Sequence, residues 1–305
     1  MTETAPEHPR EPLPLDSTAQ LLTRITSQLG TQLSLVSLNG TRRPMHPTWN
    51  DAHRGDGGPF APTLVAVAHG SRDPQALRTV QELLQRVREL RPGLDVRLGH
   101  IELNEPLLPA TLEGIGAGDA VLVPLLLGRG HHVRHDLPLA AEAASELRTR
   151  IAAPLGPHPL LVETLYERLV DAGWQAEDGR SRSAAVVLAA AGSRDPDSAV
   201  DTRRTARMLS DRLGGVPVVP AYASAATPTV PVALRALAAR GRHRVAVASY
   251  FTAPGRFAAA AAAAAPWIAS APLGAHPSMA RLLLHRYDRV TAEGSLPGER
   301  LLASA

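Results

Sequence analysis

From Thr63 onward the chain alternates short apolar runs with longer stretches in which apolar positions recur every three or four residues. Thr63–His69 and Asp119–Leu127 are nearly continuous apolar runs, the texture of parallel strands buried on both faces, and Leu94–Ile101 reads as another strand. Between them, Leu77, Val80, Leu83, Leu84 and Val87 share one face of a helix expected over Gln75–Leu90. Further helices are expected near Leu107–Ile115, Arg134–Arg150 and Leu160–Ala172. Strands joined by helical crossovers predict an α/β fold with an open parallel sheet.

The same order of landmarks then returns. Gly70-Ser71-Arg72-Asp73-Pro74 recurs as Gly192-Ser193-Arg194-Asp195-Pro196, roughly 120 residues later. Pro106 matches Pro228, Gly130 matches Gly255, and Pro154–Pro159 matches Pro272–Pro277. The expectation is two tandem homologous α/β domains, 62–178 and 183–292, each a parallel sheet flanked by helices. An extension, 1–61, precedes them and a tail, 293–305, follows. The extension is rich in proline and glycine and is expected to be mostly disordered. Within it Asp16-Ser17 can cap a short amphipathic helix carrying Leu21, Leu22, Ile25 and Leu29, a face suited to docking on the main body or on a partner.

Composition narrows the chemistry. The 305 residues include no cysteine, which removes disulfides, thiolate metal sites and cysteine nucleophiles, so a metal would be held by imidazole and carboxylate. All 32 basic residues are arginine, so neither a Schiff-base lysine nor a phosphate-loop lysine is available. A net charge of +3, with no basic run interleaved with aromatics, argues against a nucleic-acid partner. No apolar stretch approaches the roughly 20 residues that span a bilayer, so no membrane association and a cytoplasmic location are expected.

The two halves can be compared with each other. What both keep serves the fold, and what only one has is a candidate for function. The Gly-Ser-Arg-Asp-Pro turn is in both, with Asp as helix cap and Pro as first helical residue. His158 and His276 also recur and read as structural. By contrast, His69 at the carboxyl end of the first strand corresponds to Ala191. His100-Ile101-Glu102 corresponds to Tyr222-Ala223-Ser224, and Gly130-His131-His132-Val133 to Gly255-Arg256-Phe257-Ala258. Period-two alternation would put His100 and Glu102 on one strand face. Carboxyl ends of parallel strands are where open α/β sheets place ligands, and two histidines with a carboxylate leave open positions on a divalent first-row metal. The plainer readings are a packed His69, a Glu102 that caps a helix or pairs with arginine, and a solvated His135. Ala258–Ala265 reads as a filler helix without chemistry.

The strings Val67-Ala68-His69-Gly70-Ser71-Arg72-Asp73-Pro74, Ile101-Glu102-Leu103-Asn104-Glu105-Pro106 and Val123 through Pro138 resemble the sirohydrochlorin chelatases, the small class II tetrapyrrole cobalto- and ferrochelatases, in a double-length form. The resemblance covers about Leu64–Val290. It implies insertion of Fe²⁺ or Co²⁺ into sirohydrochlorin for sirohaem or cobalamin, with no organic cofactor and with the metal as substrate. It also implies that His69, Glu102 and His132 bind the metal and carry catalysis, the histidines also accepting pyrrole protons. His131 occupies a variable position of the motif. Ser71, Arg72, Arg129 and Arg134 flank this trio and are candidates for substrate binding, since arginine pairs carboxylates bidentately and sirohydrochlorin carries many. The second half lacks the trio, so the first would be catalytic and the second degenerate. A non-catalytic nickel- or cobalt-binding or delivery protein is the alternative, which a tetrapyrrole spectral assay separates.

Overall fold

The computed structural model describes residues 61–294. The expected helix around Leu21–Leu29, its docking face and most of the expected tail lie outside the described residues. The first half opens with β1 (Thr63–Ala68), fully buried, then α1 (Pro74–Leu90), β2 (Val96–His100), α2 (Leu108–Glu113) and β3 (Gly118–Pro124). After a single π-helical turn at His132–Asp136 come α3 (Leu137–Ala143), β4 (Leu147–Ile151) and α4 (Pro159–Asp171). The strands are parallel in the order β2-β1-β3-β4.

One expected helix is two elements. Arg134–Arg150 does not continue as a helix beyond Ala143; a short turn leads into β4, which pairs with β3 from Gly118↔Leu147 to Leu122↔Ile151. Leu147, Thr149 and Ile151 alternate with Arg148 and Arg150, a period of two that an edge strand satisfies and a helix does not.

The second half repeats the plan with β5 (Ala184–Ala190), α5 (Pro196–Arg212), β6 (Val218–Tyr222), α6 (Val230–Ala238), β7 (Arg244–Tyr250), α7 (Arg256–Ala263) and α8 (Pro277–Gly294). Its sheet runs β6-β5-β7, all parallel. Where the first half has β4, the second has a single bridge between Val247 and Ala269.

The last helix of each half covers the other half. Helix α4 packs on α5 and β7 of the second half, whereas α8 packs on α1 and β3 of the first. Both helices supply fully buried leucines, Leu161, Leu165 and Leu169 from α4 and Leu282 and Leu283 from α8, to one core that joins the two sheets. The outer faces of the sheets have their own smaller cores, around Val65, Leu112 and Leu122 in the first half and around Val187, Ala221 and Leu237 in the second. Two units recognisable as repeats in sequence therefore share their main hydrophobic interior, and neither keeps it when parted from the other. Polar contacts follow the exchange: Arg286 donates to the Leu155 carbonyl at 3.0 Å, Arg150 to the Val290 carbonyl at 3.0 Å, and Tyr250 to the Leu127 carbonyl at 3.0 Å. No helix among the described residues is long and apolar enough to cross a membrane.

Candidate functional site

The site begins with the turn both halves share. Asp73 caps α1 by accepting from the Gln75 N–H at 2.9 Å, and its own N–H donates to Ser71 Oγ at 3.1 Å. Asp195 caps α5 with the same pair of bonds, to Asp197 N–H and Ser193 Oγ. Before the cap, Gly70 has φ +103°, and a Cβ there would lie 1.8 Å from the Glu102 carbonyl oxygen; Gly192 has φ +89° with the Ser224 oxygen 1.9 Å away. Glycine is thus required at both places, by backbone conformation and by the close approach of the neighbouring chain. The backbone N–H of Glu102 donates to the His69 carbonyl at 3.0 Å, as that of Ser224 does to Ala191 at 2.9 Å. The two halves build one backbone frame and place different side chains on it.

In the first half the frame brings His69, Glu102 and His132 together. The His69 and His132 rings meet edge to face with centroids 4.8 Å apart. Nδ1 of His69 lies 3.5 Å from Glu102 Oε1, and Nδ1 of His132 lies 2.5 Å from Asp136 Oδ2. The Asp136 carboxylate holds Nδ1 of His132 and so orients that ring with Nε2 turned away from it, while Glu102 stands behind Nδ1 of His69 at a longer distance. The π turn makes the second pair: it sets His132 and Asp136 four residues apart within one wide turn, a geometry often found at functional sites.

Asp136 is a site residue that the sequence reading passed over. The comparison that selected His132 would have found it, because Asp136 aligns with Ala261. His131 is largely exposed, its ring 4.6 Å from that of His135 and its Nε2 4.0 Å from Asp136. His100 does not join the group. Strand β2 ends at His100, so period-two alternation does not extend to Glu102; His100 is buried with Nδ1 3.2 Å from the Pro106 carbonyl. Among the described residues no three His, Asp or Glu side chains converge closely enough to hold an ion at once.

The imidazoles line a cleft of about 980 Å³ between the carboxyl ends of the two sheets. Its first-half wall includes His69, Ser71, Arg72, Leu103, Asn104, Arg129 and His132, and its second-half wall includes Ala191, Ser193, Tyr250, Phe251, Arg256 and Phe257. Ser71 holds the loop in place, its N–H donating to Asn104 Oδ1 at 2.7 Å. Glu102 stands behind His69 and does not itself line the cleft.

The arginines divide. Arg129 and Arg134, candidates for substrate carboxylates, already carry partners from the second half. Arg129 forks onto Asp201 at 2.9 and 2.7 Å and reaches Asp197 at 3.2 Å. Arg134 contacts Asp195 at 3.1 Å and also pairs with Asp197. These ion pairs join the halves, and each guanidinium remains partly exposed. The signal was present in reverse: Asp197 and Asp201 are acidic only in the second half, where the first has Gln75 and Thr79. Arg72 has no ion pair among the described residues and lines the cleft. The recurring histidines are caps, as their recurrence implied: Nδ1 of His158 accepts from the Leu160 N–H and Nδ1 of His276 from the Ser278 N–H, each at 3.2 Å.

Known proteins share this architecture. SirB from Bacillus subtilis, solved with Fe3+, superposes with a TM-score of 0.63 at 24% identity, over 77% of this chain and 98% of that one. A CbiX structure described as the terminal enzyme of siroheme biosynthesis in denitrifying bacteria gives 0.56 at 21% identity, over 75% and 98%. In sequence, the sirohydrochlorin ferrochelatase of Bacillus subtilis is 28% identical over 172 residues, and the sirohydrochlorin cobaltochelatase of Priestia megaterium is 25% identical over 203. These matches cover 54% and 64% of this chain, and 64% and 65% of the relatives' own lengths. A sequence profile of the CbiX family matches residues 63–172 and matches again at residues 185–290. Two successive matches, on halves that build the same backbone frame around one cleft, make this chain a member of the CbiX family.

Proposed function

We propose that the protein inserts a divalent metal, Fe²⁺ or Co²⁺, into sirohydrochlorin in the biosynthesis of sirohaem or cobalamin, acting in the cytoplasm and without an organic cofactor. The observation that carries the reading is the His69–His132 pair, rings 4.8 Å apart and each backed by a carboxylate, on the wall of a cleft of about 980 Å³. That volume is at the upper end for small-molecule sites, as a tetrapyrrole requires. The names of the family relatives, ferrochelatases and cobaltochelatases of sirohydrochlorin, support the same substrate.

The chemistry follows from the pair. Insertion needs a place where a hydrated cation exchanges water for ligands, and groups that accept the two pyrrole N–H protons. Two imidazoles offer Nε2 as soft, exchangeable ligands for a first-row metal, and imidazole accepts protons near neutral pH. In this reading His69 and His132 bind the incoming metal through Nε2, and as each Nε2–metal bond gives way to a bond to the macrocycle the freed lone pair accepts a pyrrole proton, with Glu102 beside His69 passing a proton to solvent. A storage or delivery protein would gain from a saturated ligand set. A partial set suits metal that must leave.

The test is metal insertion followed by the absorbance change of sirohydrochlorin with Co²⁺, under anaerobic conditions, for the full chain and for His69→Ala and His132→Ala. We expect insertion faster than the protein-free control, lost by at least about 100-fold in either variant, with the circular dichroism of the folded protein retained. Full activity in either variant would remove that histidine from the site, and an unaccelerated wild type would remove the reading.

A further inference from the structure

We infer that Arg256 is a substrate-recognition residue: together with Arg72 across the cleft, it binds peripheral carboxylates of the tetrapyrrole, so that the second half supplies specificity where the first supplies chemistry. The inference rests on the tetrapyrrole reading above and adds to it the anion subsite.

A charge inventory of the cleft leads there. Among the lining residues, Asp73 keeps its negative charge while capping α1, and Arg129 is paired with Asp197 and Asp201. Arg72 and Arg256 remain as cations without a hydrogen bond or ion pair among the described residues. These two guanidinium groups, unpaired with any carboxylate among the described residues, are therefore open to carboxylates of a ligand. The Arg256 guanidinium lies near the ring of Phe257, 5.0 Å from its carbon to the ring centroid.

The register of the repeat sharpens the assignment. Arg256 and Phe257 stand where the first half has His131 and His132. A guanidinium has no lone pair to give a metal and stays protonated throughout the working range, but its planar fork matches a carboxylate in two hydrogen bonds. Phenylalanine beside it offers an apolar face for a planar ring. In place of His131 and the metal-binding candidate His132, the second half carries one side chain that reads a carboxylate and one that packs against a ring system. Helix α7, an alanine run in sequence, is accordingly more than filler, since Arg256, Phe257 and Ala258 at its start form part of the cleft wall.

The test separates binding from chemistry. Metal-free sirohydrochlorin is titrated into the full chain and into Arg256→Gln, Arg256→Lys and Arg240→Gln, following the tetrapyrrole absorbance and fluorescence. Arg240 is exposed and lies off the cleft, so Arg240→Gln controls for loss of one positive charge. Arg256→Gln is expected to raise Kd about tenfold, as loss of a charge-assisted pair does. Arg256→Lys should recover part of the loss, and Arg240→Gln should bind as the wild type. Equal binding by Arg256→Gln and wild type, or an equal loss in Arg240→Gln, would overturn the inference. If the wild type inserts Co²⁺ while Arg256→Gln binds normally, the inference falls and the chelatase reading stands. If binding depends on Arg256 but no metal is inserted, the chelatase reading falls and the carboxylate subsite stands. No binding of sirohydrochlorin by the wild type would remove both.

Discussion

Arg129 in the first half and Asp201 in the second are joined at three points: Nε to Oδ2 at 2.9 Å, Nη2 to Oδ1 at 2.7 Å, and the Arg129 backbone N–H to Oδ2 at 3.0 Å. The aspartate is almost wholly buried, and the bridge ties the loop after β3 to helix α5 beside the cleft. Arg129, which also lines the cleft, thus links its two walls.

This tether predicts an acid dependence. Burial pulls the Asp201 carboxyl upward, but the hydrogen bonds from Arg129 outweigh it and hold the group below its ordinary 3.8. A carboxylate whose folded value is depressed stabilises the fold above its unfolded value, and that contribution is lost as pH falls through the folded one. Urea unfolding followed from pH 7 to pH 3 should show wild-type stability dropping below about pH 4. Asp201→Asn should begin less stable at pH 7 and lose less across that window. Curves that run parallel would show that the bridge contributes no pH-linked stability.

His158 predicts a second window at higher pH. Burial, then Arg286 and then His285, push its imidazole down to about 4, and its Nδ1 accepts the Leu160 N–H only when unprotonated. His276 is also lowered, burial outweighing the attraction of Glu167. For a histidine whose folded value lies below the ordinary 6.5, the unfolded chain binds the extra proton, so stability is present above 6.5 and is lost as pH falls toward 4. The urea midpoint should therefore be lower at pH 5 than at pH 7. His158→Asn keeps a side-chain cap and removes the titration, so it should narrow that difference. An unchanged difference would assign the loss to His276 or to other groups.

The carboxylates behind the imidazoles predict kinetic effects. Asp136→Asn replaces the charged acceptor on His132 Nδ1 with a neutral one, and Glu102→Gln removes the charge 3.5 Å from His69 Nδ1. Losing such a partner typically costs about 10–100-fold in activity or metal affinity. We expect losses of that size in Co²⁺ insertion, with thermal unfolding within a few degrees of wild type because both carboxylates are at least partly exposed. Activity within twofold of wild type in Asp136→Asn would show that His132 needs no carboxylate behind it.

Much of the fold was legible because its signals are local. Unbroken apolar runs mark β1, β3 and β5, and the Asp-Pro caps mark the starts of α1 and α5. Strand β4 was not legible, since an edge strand with arginine at alternate positions carries little apolar pattern. The His69–His132 pairing was accessible through the repeat, because one half retains what the other has lost. The partners of Arg129 and Arg134 left only an indirect trace, Asp197 and Asp201 being acidic in one half alone, because arginines near a cleft look the same whether they face a ligand or an aspartate.

The sequence by itself determined the two α/β halves, the shared Gly-Ser-Arg-Asp-Pro frame and the half that keeps the histidines. These depend on periodicity, capping and residue identity, which act over a few neighbouring positions. The tertiary structure alone decided that α4 and α8 are exchanged between halves, that Asp136 stands behind His132 on a π turn, and which cleft arginines carry no ion pair among the described residues. Each of these is set by which surfaces bury one another and which charges meet when they do, and such partners can lie far apart along the chain or, as with His132 and Asp136, be joined only by an uncommon turn.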